Sequence, residues 1–215
     1  MRKYLFSIVV GVAILFSCKN SSVIPASFEG KIVYKMSSTL LNPDDPDSMN
    51  YQVVYAQDTM LRIESRTPIG NQIYIKHIPR NRAYILMDLF FDKFAIQNIP
   101  DESPNAGKYL FQEKRGSKKI AGRKARQMDV TLPETDTTIT MYYYPDILPD
   151  YTEALPGMPG LPAKYTLYSG GEYITYEIVA IEERTLERDL FGIPTDHKIV
   201  TLEEFMEIVE RASGD

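Results

Sequence analysis

From Phe28 onward the chain alternates apolar and polar residues with a period of two. Phe28, Gly30, Ile32, Tyr34 and Met36 are interleaved with Glu29, Lys31, Val33 and Lys35, the pattern of a strand with one buried face. Met49, Tyr51, Val53 and Tyr55 repeat it, and Gln57-Asp58-Thr59 reads as a hairpin turn into Leu61–Glu64. Further runs at 72–78, 82–89, 91–97, 109–113, 124–132, 137–144, 163–169 and 172–183 follow. They are separated by Pro79-Arg80-Asn81, Pro133-Glu134-Thr135-Asp136 and Gly170-Gly171, which carry turn chemistry. Linkers this short join antiparallel neighbours.

The period changes only near the end. Thr201-Leu202-Glu203-Glu204 has the spacing of a capping box. Leu202, Phe205, Met206 and Val209 then form an apolar stripe opposite Glu203, Glu207 and Glu210, predicting a helix over 201–212. A sheet of about ten strands curls rather than staying flat. The expected fold is therefore mainly β: a single curved antiparallel sheet, or half-barrel, of roughly ten strands over 28–212, flanked by one C-terminal helix.

The first residues follow a different rule. Arg2 and Lys3 precede an apolar run from Tyr4 to Phe16, far short of the roughly 20 residues a membrane-spanning helix needs. It has the layout of a secretory signal. Leu15-Phe16-Ser17-Cys18 resembles a lipobox, with Phe16 larger than is usual there. The expectation is a signal peptide over 1–17, acylation at Cys18 and a tether over 18–27; an ordinary secretory signal with a chance cysteine is the alternative. Cys18 is the only cysteine, so no disulfide is available to the fold. More than one acyl chain would make the anchor firm. Lys19 rather than Asp follows Cys18, which favours an outer-membrane location facing the periplasm.

Charge narrows the partners. Arg2 and Lys3 are the only charges in residues 1–17, so the formal net charge of −5 becomes −7 after their removal. An acidic domain of this kind argues against nucleic-acid binding. One stretch goes the other way. Lys108, Lys114, Arg115, Lys118, Lys119, Arg123, Lys124 and Arg126 face only Glu113 in the interval 108–127. This basic patch, read as centred on a turn at Gly116-Ser117, is either a solvated hairpin or a contact for anionic head groups or an acidic protein.

Between two strands lie Tyr142-Tyr143-Tyr144-Pro145-Asp146-Ile147 and then Leu155-Pro156-Gly157-Met158-Pro159-Gly160-Leu161-Pro162. So much Pro and Gly excludes helix and central strand, leaving a stiff, shaped loop. With the Gly122–Ala125 strand opening and Phe191-Gly192-Ile193-Pro194, this order resembles a family of Bacteroidetes envelope lipoproteins with an LPG-x-P loop. That family is similar in fold to the lipoprotein carrier group (LolA- and LolB-like). The resemblance implies a curved half-barrel around a hydrophobic cavity and brings no catalytic residues.

A search for chemistry in the sequence yields little. His77 and His197 are the only histidines, with no HExxH, CxxC or G-x-S-x-G context. Asn42–Ser48 holds three carboxylates but lacks the Gly turn and distal Glu of a calcium loop. No cofactor, metal or enzymatic activity is expected. Two functional readings stay open. In the first, an apolar concavity lined by Ile32, Tyr34, Val53, Ile73, Ile75, Ile85 and Met141 binds a lipid or acyl chain. Leu155, Met158 and Leu161 would then stand at its mouth. In the second, a packed domain binds an envelope protein through its surface, with Lys114, Arg115, Lys118, Lys119, Arg123 and Lys124 as a candidate contact.

Overall fold

In the computed structural model, residues 24–38, 50–67, 70–89, 92–98 and 108–213 are described. Cys18, the signal segment and the Asn42–Ser48 loop lie outside the described residues.

The described residues form one open sheet of twelve strands: β1 (Gly30–Ser37), β2 (Tyr51–Gln57), β3 (Met60–Thr67), β4 (Gly70–His77), β5 (Arg82–Leu89), β6 (Asp92–Asn98), β7 (Leu110–Ile120), β8 (Arg123–Leu132), β9 (Thr137–Tyr144), β10 (Leu161–Ser169), β11 (Glu172–Glu183) and β12 (Lys198–Thr201). Their order across the sheet is 12-6-5-4-3-2-1-11-10-9-8-7. Every neighbouring pair is antiparallel except β12 with β6, which is parallel. The expected all-antiparallel sheet is corrected at that edge. β12 arrives there after a long connection, and only a hairpin would have forced the reverse direction.

Turn residues set the registers. Asp58 (φ 49°) belongs to the β2–β3 turn, and Gly170 and Gly171 (φ 61° and 90°) make the β10–β11 turn. Ala121 and Gly122 (φ 41° and 83°) form the two-residue turn between β7 and β8, where positive φ at both positions matches the strand twist. The basic hairpin therefore turns at 121–122. Gly116 lies instead inside a strand irregularity between Glu113 and Ser117, a bulge that lets β7 run on.

Apolar residues pack on both faces of the sheet, against different parts of the chain. Cross-strand partners share a face, so Ile32, Val54, Ile63, Tyr74, Ile85 and Ile96 form one row on the first face. Val53, Glu64, Ile73, Leu86 and Ala95 form a row on the second. The main core lies on the first face and includes Phe28, Leu132, Tyr144 and Tyr165. On the second face, the segment after β11 crosses β3. Arg62 Nη1 donates to the Leu190 carbonyl (2.9 Å), and Ile193 packs against Ile75, Leu86 and Ala95.

The chain then rounds the sheet edge as β12 and lays helix α1 (Leu202–Ser213) on the first face. Phe205 meets Phe94 edge-on at 5.4 Å, supported by Ile208 and Val209. Leu202 and Met206, expected to pack, are 61% and 49% exposed. The buried stripe is rotated toward Phe205, Ile208 and Val209 because the helix starts directly from a strand that fixes its entry angle.

The capping box forms as the sequence predicts. Thr201 N donates to Glu204 Oε2 (2.8 Å), and Glu204 N donates to Thr201 Oγ1 (3.2 Å). Thr201→Ala is expected to cost about 1 kcal/mol, the usual value of an N-cap. Thermal unfolding should show a lowered midpoint with the β signal in circular dichroism unchanged; an unaltered midpoint would mean that the helix end adds nothing.

Candidate functional site

The residues expected to line one concavity are divided among separate clusters. Ile32, Tyr34, Met141, Leu155, Met158 and Leu161 are buried together in the main core. Ile85 belongs to the cluster under α1. Ile73 and Ile75 sit on the second face beneath Ile193. Val53 also faces that way and lines a shallow open depression of about 250 Å³ with Tyr51, Glu64 and Arg66. A single cavity lined by all seven strand residues is thus corrected. Central strands here are apolar on both faces, so their alternation does not announce which side is inward.

The Pro/Gly loop is the larger departure from expectation. Its aliphatic residues do not stand at a mouth; they occupy the interior. Leu155, Met158 and Leu161 are buried among the core side chains. Met158 N donates to the Leu155 carbonyl (3.1 Å), and Leu161 N donates to the Ile147 carbonyl (3.0 Å). Gly157 has φ of +92°, a conformation open to glycine. Gly160 passes so close to β9 that a Cβ would strike the Tyr144 carbonyl and come within 2.9 Å of Pro145 Cα. The glycines let the loop fold inward and press against the sheet.

Tyrosines tie this interior together. Tyr34 OH donates to the Pro162 carbonyl (2.8 Å) and Tyr144 OH to the Ile120 carbonyl (2.7 Å). Tyr34 packs edge-on against Tyr165, which stacks on Tyr176 at 4.8 Å. Burial pushes the Tyr144 hydroxyl from 10.0 to about 12, and burial likewise raises Tyr34 and Tyr165. Groups that hold their protons more tightly when folded support the fold fully below their unfolded pKa and lose that support as pH rises through the folded value. The fold should therefore weaken between pH 10 and 12, with tyrosinate absorbance appearing alongside loss of β structure. Full tyrosine ionisation near pH 10 in an intact fold would contradict the packing described.

The predicted basic patch is partly neutralised. Lys114 pairs with Asp129 (2.8 Å), and Lys118 approaches Glu177 (3.6 Å). Arg123 holds Asp146 (2.8 Å) and Glu183 (2.5 Å) and lies 5.8 Å from the Tyr144 ring centroid. Partial burial lowers the Arg123 pKa, but the two carboxylates outweigh it and leave the guanidinium raised. Burial alone would raise Glu177; Lys164 and Lys118 reverse that and lower it. Because Lys118 on β7 reaches Glu177 on β11, four positions away in the strand order, this flank of the sheet curls strongly. Among the described residues, Arg115, Lys119 and Lys124 have no carboxylate at ion-pair distance. Sequence reading marked these cations as a group and had no signal for the distant Asp146, Glu177 and Glu183 that split it.

Among the described residues, no group of three or more His, Cys, Asp or Glu side chains is placed to hold a metal ion. His197 Nδ1 lies 2.8 Å from its neighbour Asp196, and His77 is on β4 far along the chain. No described helix is long and apolar enough to cross a membrane.

No protein-family model and no curated protein sequence matches the chain. Two structures of PNGF-II, in C2 and P21 space groups, share its fold. They align with TM-scores of 0.51 and 0.53 at 11% and 13% identity, over 84% and 86% of this chain. The chain spans about a third of the length of those proteins, 32% and 34%. At this identity the likeness is one of fold.

Proposed function

We propose that this chain is a membrane-anchored envelope lipoprotein whose β domain is a non-enzymatic interaction module, binding partners through its surface. The observation that carries the reading is the filling of the core-bearing face by the chain's own loop. Leu155, Met158 and Leu161 lie within the same buried cluster as Ile32, Tyr34 and Met141, the place an acyl chain would need. Open depressions beside β2–β4 and beside the β7–β8 hairpin carry charged residues, which suits solvated contacts rather than lipid storage. The lipobox-like Leu15–Cys18 and the signal-like run before it support acylation at Cys18 and an outer-membrane, periplasm-facing address. An acidic domain with a packed core, on a short tether, fits a role in holding or presenting a protein partner.

Feeding cells a photoactivatable fatty acid tests both parts. The expected label is covalent acylation at Cys18, lost in Cys18→Ser, with no crosslinks to peptides from 120–165. Crosslinks within 120–165 would overturn the packed-core reading in favour of an amphiphile-binding cavity, and absence of label at Cys18 would remove the anchor.

A further inference from the structure

We propose that the tip of the β7–β8 hairpin, through Lys119 and Lys124, docks on an anionic phospholipid surface beside the point where the tether enters the fold. This rests on the acylated-Cys18 reading above. Lys119 and Lys124 are direct cross-strand partners, an arrangement in which like charges repel. Their basic neighbours Lys114, Lys118 and Arg123 all have carboxylates. Among the described residues this lysine pair has none, so an external anion would relieve a repulsion that the fold leaves in place. Beside Lys124, an open depression of about 450 Å³ is lined by Arg123, Arg126, Pro145 and Asp146 as well. It is wide enough to admit a phosphate head group next to three cationic side chains, with Asp146 already engaged by Arg123.

The tether leads to the same place. Ala26 forms a parallel bridge with Ile147. Its N–H donates to the Asp146 carbonyl (3.0 Å), and its carbonyl accepts from Leu148 N (3.1 Å). Asp146 is in turn the partner of Arg123, one residue from Lys124. Entry of the chain and tip of the hairpin are therefore joined by two successive contacts. Cys18 precedes Ile24 by six residues in the sequence, a reach of about 20 Å at full extension. An anchor on so short a lead holds this corner at the bilayer. Ile24, 84% exposed, adds an apolar side chain at the same corner. The remaining charge acts in concert: the domain is acidic overall, and Glu203 and Glu210 lie on α1, which packs on β6 at the end of the strand order opposite β7. An anionic surface would repel that end and attract the hairpin, fixing the domain's orientation.

The acylated chain, purified from membranes and reconstituted into vesicles of phosphatidylcholine alone or mixed with phosphatidylglycerol, provides the test. Flotation with neutral vesicles reports the anchor, and intact mass reports Cys18 acylation. Labelling by a neutral amine reagent, read lysine by lysine, reports docking. The expected result is labelling of Lys119 and Lys124 slowed roughly five-fold or more on anionic vesicles, near the effect of one well-placed cation at a charged surface. Lys35 should be unchanged, and raised salt should abolish the difference. Lys119→Glu with Lys124→Glu should remove any preference for anionic vesicles while leaving the unfolding midpoint near that of the parent chain. Equal labelling on both vesicles with flotation intact would overturn docking and leave the anchor standing. Failure to float on neutral vesicles, with lysine protection retained on anionic ones, would overturn the anchor instead. Protection by an acidic peptide but not by anionic vesicles would overturn the lipid proposal in favour of a protein partner.

Discussion

Met158→Ala is expected to lower the unfolding free energy by about 2–5 kcal/mol, the range for truncating a buried Met or Leu. Loop substitutions are usually mild, so a loss of that size marks this loop as core. Met158 is buried among residues from both the loop and the strands, and its surroundings cannot close over the gap. Gly160 is already pressed against the end of β9, and the Leu161 N–H is held by Ile147. Sites that cannot collapse sit toward the upper end of such costs. Urea titration would read the effect as a lowered midpoint at unchanged slope. Met206→Ala provides the contrast: half-exposed on α1, it should change stability by less than about 0.5 kcal/mol. A Met158→Ala chain no weaker than Met206→Ala would mean the loop does not fill the interior.

Tyr151→Phe should cost about 2 kcal/mol while changing shape hardly at all. The Tyr151 hydroxyl accepts from the buried Phe28 N–H (3.0 Å) and donates to the Asp58 carbonyl (3.0 Å). One hydroxyl thus links the strand entry, the β2–β3 turn and the short 3-10 turn Pro149–Tyr151. Removing it orphans a donor and an acceptor together, and an unsatisfied buried group costs about 1–3 kcal/mol. The effect should be local as well. Amide exchange at Phe28 and Gly30 should quicken more than exchange in the centre of β5. Uniform acceleration would show that the bond contributes only to global stability, and no acceleration would show that water replaces it.

Much of this architecture is legible in the alternation of the sequence. β5, β9 and β11 coincide with the runs read at 82–89, 137–144 and 172–183, because each begins directly after residues with turn chemistry: Pro79-Arg80-Asn81, Pro133–Asp136 and Gly170-Gly171. β7 reads too short in the sequence, since Lys114–Lys119 is polar throughout and an exposed edge strand shows no apolar alternation. β12 has only four residues, too few for a period of two to appear. The candidate site is less legible than the fold. Val53 and Val54 are equally apolar, and only pairing with Glu64 or Ile63 decides which face each takes. The inward fold of Leu155–Leu161 depends on the close approach of Gly160 to β9, a tertiary contact that composition cannot reveal. The burial of Tyr34, Tyr144 and Tyr165 likewise distinguishes them from Tyr173, which alternation alone would rank with them.

The packed interior is tested most directly by native mass spectrometry of the acylated protein released gently from detergent. The account predicts one mass, that of the chain plus its covalent acyl groups, unchanged after incubation with fatty acid or phospholipid. A stoichiometric noncovalent lipid that survives release, and that is lost when Met158 is replaced by the larger tryptophan, would contradict it.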